Sequence, residues 1–220
     1  MKCLSVAAAA CLAALSFSQG AHALTWAEID AGDLLDTAEI TTGASLSTPL
    51  SGITGFLRST PFMENGTDSR FVYQVDLFRI QVNSAADFSA TVQDPQLDSA
   101  LFLFDATGHG VLASDDAIGL SGAFAKGSLT QGGTYYLGVS LGGYHALDGN
   151  GNDIFASGAS SGPVASWSYD FSSFTETAQS YAISLTGATV AAVPEPGAAL
   201  MMVAGLAGLV AFQRRRRTAA

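Results

Sequence analysis

The run FVYQVDLFRIQV, residues 71–82, decides the fold. Phe71, Tyr73, Val75 and Leu77 alternate with polar residues, and Phe78, Ile80 and Val82 carry the alternation on, one face over. A period of two is that of a half-buried strand. The phase change at Leu77–Phe78 predicts a β-bulge. Shorter runs of the same kind lie on both sides: 38–42, 50–57, 88–93, 100–105, 111–114, 122–126, 134–141, 164–171 and 180–186. Clusters of Gly, Asp, Asn and Ser separate them, and Asn65-Gly66 inside 64–68 is a turn signal for positive φ. No long amphipathic helical stripe interrupts this series. Many short strands between turn signals predict an all-β domain, a β-sandwich. The stretch 24–49 reads as an extended leader onto the sandwich, with a short helical turn allowed near 27–35.

The two ends have a different character. Residues 1–23 join a basic Lys2 to an apolar run from Cys3 to Phe17 and the ending Ala21-His22-Ala23. This is the layout of a secretory signal peptide, cleaved before Leu24 with Ala21 and Ala23 as the small residues of the site. Both cysteines, Cys3 and Cys11, fall inside that segment, so the expected mature chain has no thiol, disulfide or cysteine metal site. At the other end Val193-Pro194-Glu195-Pro196 precedes an uncharged apolar stretch, 198–212, and four arginines, Arg214, Arg215, Arg216 and Arg217. The prolines keep 193–196 out of any helix. As a helix, 198–212 spans roughly 22 Å at about 1.5 Å per residue, short of the roughly 30 Å hydrocarbon core of a bilayer. The arginines would hold its far end on the cytoplasmic side.

Motif, marginal span and basic stop, in that order at the C-terminus, resemble the PEP-CTERM sorting signal of Gram-negative bacteria. The resemblance implies processing by an exosortase, transient anchoring in the inner membrane, and delivery to the cell surface or extracellular matrix. The chain thus divides into a signal peptide (1–23), a β-sandwich (24–192) and a sorting signal (193–217). A second resemblance lies in the sandwich. Asp76-Leu77-Phe78-Arg79-Ile80, the stretch Leu97 to Asp105, Gly108, Asp115-Asp116 and Gly133-Thr134-Tyr135-Tyr136-Leu137-Gly138-Val139 are similar to the bacterial pre-peptidase C-terminal domain. That resemblance implies a jelly-roll-like sandwich of the kind that accompanies secreted enzymes, here without a catalytic partner domain.

Charge excludes one function class. Between Leu24 and Val193 there are 18 Asp and Glu against Arg58, Arg70, Arg79 and Lys126, a net charge of −14. Nucleic-acid binding needs a basic face and is not expected. Divalent cations suit this surface better. If strand 100–105 pairs with 111–114, Asp98 or Asp105 comes near Asp115-Asp116, and clustered carboxylates with loop carbonyls can supply the six to eight oxygens Ca²⁺ takes. These four aspartates are the candidate Ca²⁺ ligands, and turn capping is the competing use.

Other constellations are weaker. Gly138-Val139-Ser140-Leu141-Gly142 fits the pattern of a nucleophile elbow, but no helix follows and the order Ser, Asp/Glu, His cannot be filled, so no catalytic residue is assigned. His109 and His145 read as solvated loop residues without zinc spacing. Asp148-Gly149-Asn150-Gly151-Asn152-Asp153 has the composition of a calcium loop without tandem copies or the closing Glu, and reads as a flexible loop. Trp167, Tyr169 and Phe171 share one strand face and are expected to pack in the core. Were they exposed, they would form a sugar platform. The expected function is non-enzymatic: a structural or adhesive surface protein. A carbohydrate-binding module for exopolysaccharide is the first rival and a secreted hydrolase the second.

Overall fold

The computed structural model describes residues 22–64, 68–156, 162–170 and 179–191. Among these the chain is all-β. In chain order the strands are β1 (Leu24–Ala27), β2 (Glu39–Ile40), β3 (Leu50–Leu57), β4 (Ser59–Glu64), β5 (Asp68–Tyr73), β6 (Asp76–Val82), β7 (Ser89–Val92), β8 (Ser99–Asp105), β9 (Gly110–Ser114), β10 (Ala123–Phe124), β11 (Gly133–Leu141), β12 (Tyr144–Asp148), β13 (Val164–Tyr169), β14 (Gln179–Thr186) and β15 (Ala188–Val190). One sheet has the order β1-β3-β14-β7-β10, and a second has β15-β6-β11-β8-β9 with β2 also on β6. The pairs β4-β5 and β12-β13 form two-stranded sheets. Leu50, Ile53, Leu57, Val92, Ile183 and Leu185 of the first sheet share one buried cluster with Ile80, Leu101, Leu103, Leu137 and Val139 of the second.

The decisive run folds differently from its expected form. It splits at Gln74-Val75 into β5 and β6, and β6 pairs with β11 from Asp76 to Val82 with no register shift. There is no bulge at Leu77–Phe78. Val75, Asp76, Leu77 and Phe78 are all buried, because the start of β6 is covered on both faces and need not alternate there, whereas from Phe78 to Val82 buried and half-buried residues do alternate. The leader also differs: β1 pairs in parallel with β3, and turns rather than helix follow it.

β8 shows how a third layer arises. Its sequence, Ser-Ala-Leu-Phe-Leu-Phe-Asp, buries the first six residues. Leu101 and Leu103 lie beside Val139 and Leu137 and enter the shared core. Ala100, Phe102 and Phe104 point to the opposite face, since side chains alternate along a strand. That face carries the β12-β13 pair and Phe155, which follows β12. Phe102 meets Trp167 edge-on at 5.1 Å between ring centroids and Phe155 at 5.8 Å, while Phe104 meets the same two rings at 6.0 and 5.5 Å. Trp167 therefore packs on the sheet and its Nε1 donates to the Asp33 carbonyl at 2.8 Å. Tyr169 packs at a tilt against Tyr144, 5.7 Å between ring centroids, and keeps 37% exposure; Phe171 lies outside the described residues.

Between the two main sheets sits a carboxylate. Asp76 at the start of β6 is 2% exposed and accepts a hydrogen bond from the Tyr181 hydroxyl of β14 at 2.8 Å. Burial pushes its pKa from 3.8 up to about 7, against the Tyr181 bond and Arg58, and with the Glu28 and Glu39 charges adding to the rise. Gly55 of β3 makes room for this arrangement. A Cβ there would collide with the Tyr181 hydroxyl and stand 2.7 Å from Glu28 Oε2.

Candidate functional site

β8 and β9 form an antiparallel hairpin with Leu101 opposite Ser114. Asp98 immediately precedes β8 and Asp115-Asp116 immediately follow β9, so the pairing brings the three together. Carboxylate oxygens from Asp98, Asp115 and Asp116 all lie within 4.8 Å of one another, and all three residues are exposed. Oxygens on opposite sides of a Ca²⁺ at 2.3–2.6 Å stand about 5 Å apart, so the spacing suits that ion. Asp116 adopts φ 51°, a left-handed conformation that Asp tolerates better than most residues. Gly142 is needed for close approach: a Cβ on it would collide with Asp98 Oδ1. Desolvation raises the pKa of Asp98, with the Asp116 charge adding to it. Desolvation raises that of Asp115 too, with Asp116 and Asp98 contributing, while backbone N–H bonds from Gly143 and Asp116 oppose the rise.

Asp105 is not part of this group. It ends β8, and a strand of seven residues places its two ends roughly 20 Å apart. Its Oδ1 instead accepts from the Thr107 and His109 backbone N–H groups at 2.8 and 3.1 Å and from the Thr107 hydroxyl at 2.7 Å. Those bonds hold its pKa below the ordinary value although desolvation opposes them. Asp105 caps the β8-β9 turn.

Beside the carboxylate group a cleft of about 270 Å³ opens between β9 and the β12-β13 hairpin. Ala100 and Phe102 form its floor, and Ala113, Ser114 and Asp115 form one wall. Tyr144 and His145, with Asp153 and Phe155 from the following loop, form the other. Asp115 thus belongs to both the carboxylate group and the cleft. The sequence signals the aromatic floor only as core, since nothing local says that a hairpin will lie over half of that face.

His145 is a strand residue rather than a solvated loop residue. Its Nδ1 is 2.9 Å from Asp153 Oδ2 and its Nε2 is 3.0 Å from Asp170 Oδ2. The Asp170 bond, with Asp153 behind it, raises the imidazole pKa against desolvation. His109, on the β8-β9 turn, lies 2.9 Å from the Thr107 hydroxyl through Nδ1. The glycine-rich loop closes on Asp148, which is 2% exposed. One carboxylate there accepts the backbone N–H groups of Asn150, Asn152 and Gly162 and the Asn152 amide. These donors, Asn152 first, lower its pKa to about 2. A carboxylate ringed by N–H donors is an anchor for its own loop and not a cation ligand. Ser140 is fully buried in β11 and donates to the Leu141 carbonyl at 2.7 Å, so its hydroxyl is not presented at a turn. The last glycine of that Gly-x-Ser-x-Gly pattern is the one on which Asp98 rests.

The expected processing residues Val193, Pro194, Glu195, Pro196 and Arg214 to Arg217 lie outside the described residues, as do Ala21 and the C-terminal apolar stretch. Among the described residues no helix is long and apolar enough to cross a membrane. Ala23 directly precedes β1. In comparison with known families, residues 192–217 match the PEP-CTERM protein-sorting motif. No curated protein and no solved structure matches the chain. The motif marks an exported protein that is recognised by an exosortase and sorted through the membrane to the surface.

Proposed function

We propose that the protein is a non-enzymatic surface or matrix component: an acidic β-sandwich, structural or adhesive, that an exosortase delivers and that holds Ca²⁺ through Asp98, Asp115 and Asp116. The observation that carries this reading is the sorting motif at 192–217 following a sheet domain of strongly acidic composition. The spacing of the three carboxylates supports the calcium part. The pattern from Asp76 through Gly133-Thr134-Tyr135-Tyr136 supports the finer reading of the domain as a jelly-roll-like relative of the pre-peptidase C-terminal module. Burial of Ser140 counts against a hydrolase built on that residue.

A second reading, a carbohydrate-binding module for exopolysaccharide, is favoured by the aromatic-floored cleft beside Asp115. The test of delivery is the intact mass of protein recovered from the cell surface. Loss of residues 1–23 and of the segment after Pro194-Glu195-Pro196 is expected, and replacing those three residues by Ala should leave the tail in place and the protein in the membrane fraction. Surface protein that keeps its arginines would overturn processing by an exosortase.

A further inference from the structure

Without calcium on Asp115, the cleft between β9 and the β12-β13 hairpin offers a ligand a carboxylate beside aromatic rings, and the inference drawn from this rests on the carbohydrate reading above. Its histidine has no N–H left for a ligand, because Asp153 and Asp170 take both ring nitrogens of His145 at 2.9 and 3.0 Å. Asp153 is itself occupied, with Oδ2 on His145 and Oδ1 accepting the Phe155 N–H at 2.9 Å. Asp115 also accepts backbone N–H groups, from Gly143 and Asp116, but it is exposed where Asp153 is only half so, and its carboxylate is the more open ionic group of the lining. Asp98 and Asp116, with oxygens within 4.8 Å, add negative charge behind it. Phe155 and Tyr144 line the opposite wall. Aromatic faces and a carboxylate together attract an ammonium group, and aromatic rings also take the apolar face of a ligand ring. The volume of about 270 Å³ lies just under the ~300–1,000 Å³ of drug-sized sites and suits a single ring.

We propose that this cleft binds one residue of an amino sugar carrying a free ammonium, with the ammonium on the Asp115 carboxylate and the ring against Phe155. A glycan containing unacetylated hexosamine is cationic, and a domain of net charge −14 draws it in. The acetylated sugar presents a neutral amide in the same place and loses the ionic contact.

The experiment is calorimetric titration of the full-length chain in EDTA at about pH 6.5, where an amine of this kind stays protonated. The probes are glucosamine, N-acetylglucosamine, glucose and Nα-acetyl-lysine amide. Glucosamine is expected to bind saturably, and N-acetylglucosamine and glucose about tenfold more weakly or worse. Asp115→Asn should weaken glucosamine binding about tenfold. Ala113→Leu should do the same by filling the cleft from an exposed strand position that leaves the core untouched. Near-UV circular dichroism like that of the unsubstituted chain shows that each variant is folded. Equal binding of all three sugars overturns the ammonium assignment and leaves the carbohydrate reading standing, whereas binding of none, purified exopolysaccharide included, overturns both. Lysine amide binding as tightly as glucosamine would make this a site for a peptide ammonium and overturn the sugar. Glucosamine binding untouched by both substitutions would place it elsewhere and overturn the proposal.

Discussion

Replacing Asp76 by Asn should make the protein more stable at neutral pH and leave it unchanged in acid. The side chain is 2% exposed, its hydrogen-bond partner is the Tyr181 hydroxyl, and burial raises its pKa from 3.8 to about 7. Below 3.8 the group is protonated in both folded and unfolded chains and contributes nothing to the pH dependence. As pH rises toward 7 the unfolded chain releases its proton while the folded one keeps it. Stability then falls by about 1.36 kcal/mol per pH unit, or about 4 kcal/mol over the interval, and the loss is complete above the folded value. Asn keeps an oxygen for the Tyr181 hydroxyl and cannot ionise. The two chains should therefore unfold within about 1 kcal/mol of each other near pH 4, with Asp76→Asn ahead by about 4 kcal/mol near pH 8. Urea unfolding across that range reads the difference. With an m-value of about 2 kcal/mol/M, the midpoints should separate by about 2 M at the alkaline end. A difference that stays the same from pH 4 to pH 8 would refute the reasoning, because substitution would then act through packing and not through ionisation.

Calcium at 1 mM should add about 0.4–1.4 kcal/mol if the affinity is that of an extracellular module, read as a rise of a few degrees in Tm. Asp98→Asn should abolish the rise, while Asp105→Asn should lower Tm through its lost turn cap and leave the calcium increment intact. Phe104→Ala should cost about 3–5 kcal/mol by chemical denaturation, since the ring is fully buried between Trp167, Phe155 and the sheet.

Local pattern made much of the frame legible. The run 50–57 forms β3 with the expected bounds because its flanks are punctuated, and the 100–105 and 111–114 runs pair as their short connecting turn requires. What escaped the sequence depends on contacts between distant segments. β12 starts from Tyr144-His145-Ala146, which has no β-branched residue, and it is a strand because β13 lies alongside it. The run 71–82 looks continuous because the alternation of apolar and polar residues passes unbroken through Gln74-Val75, where the backbone leaves one strand for the next. In the carboxylate group, Asp98 and Asp115-Asp116 follow from one hairpin, while Asp105 shows that residues on the same strand can belong to opposite ends of the domain. Gly142 is needed for the seat of Asp98, and a glycine flanking a serine suggests chemistry more readily than clearance. The His145 clamp was invisible because its partners lie 8 and 25 residues away.

β15 ends at Val190, and Ala191, 1% exposed, closes the described fold directly before the sorting motif at 192–217. The last hydrogen bonds of the described fold therefore lie next in sequence to the segment that the sorting machinery recognises. Any tension on the tail, from flowing water or a moving neighbour, enters at the Ala191 and Val190 N–H bonds to the carbonyls of Thr41 and Thr48. Behind them stands a strand of three residues at the edge of a sheet. Because Ala188 of β15 belongs to the shared core and Val190 and Ala191 are buried, a pull from the C-terminus would load that core as soon as β15 moved.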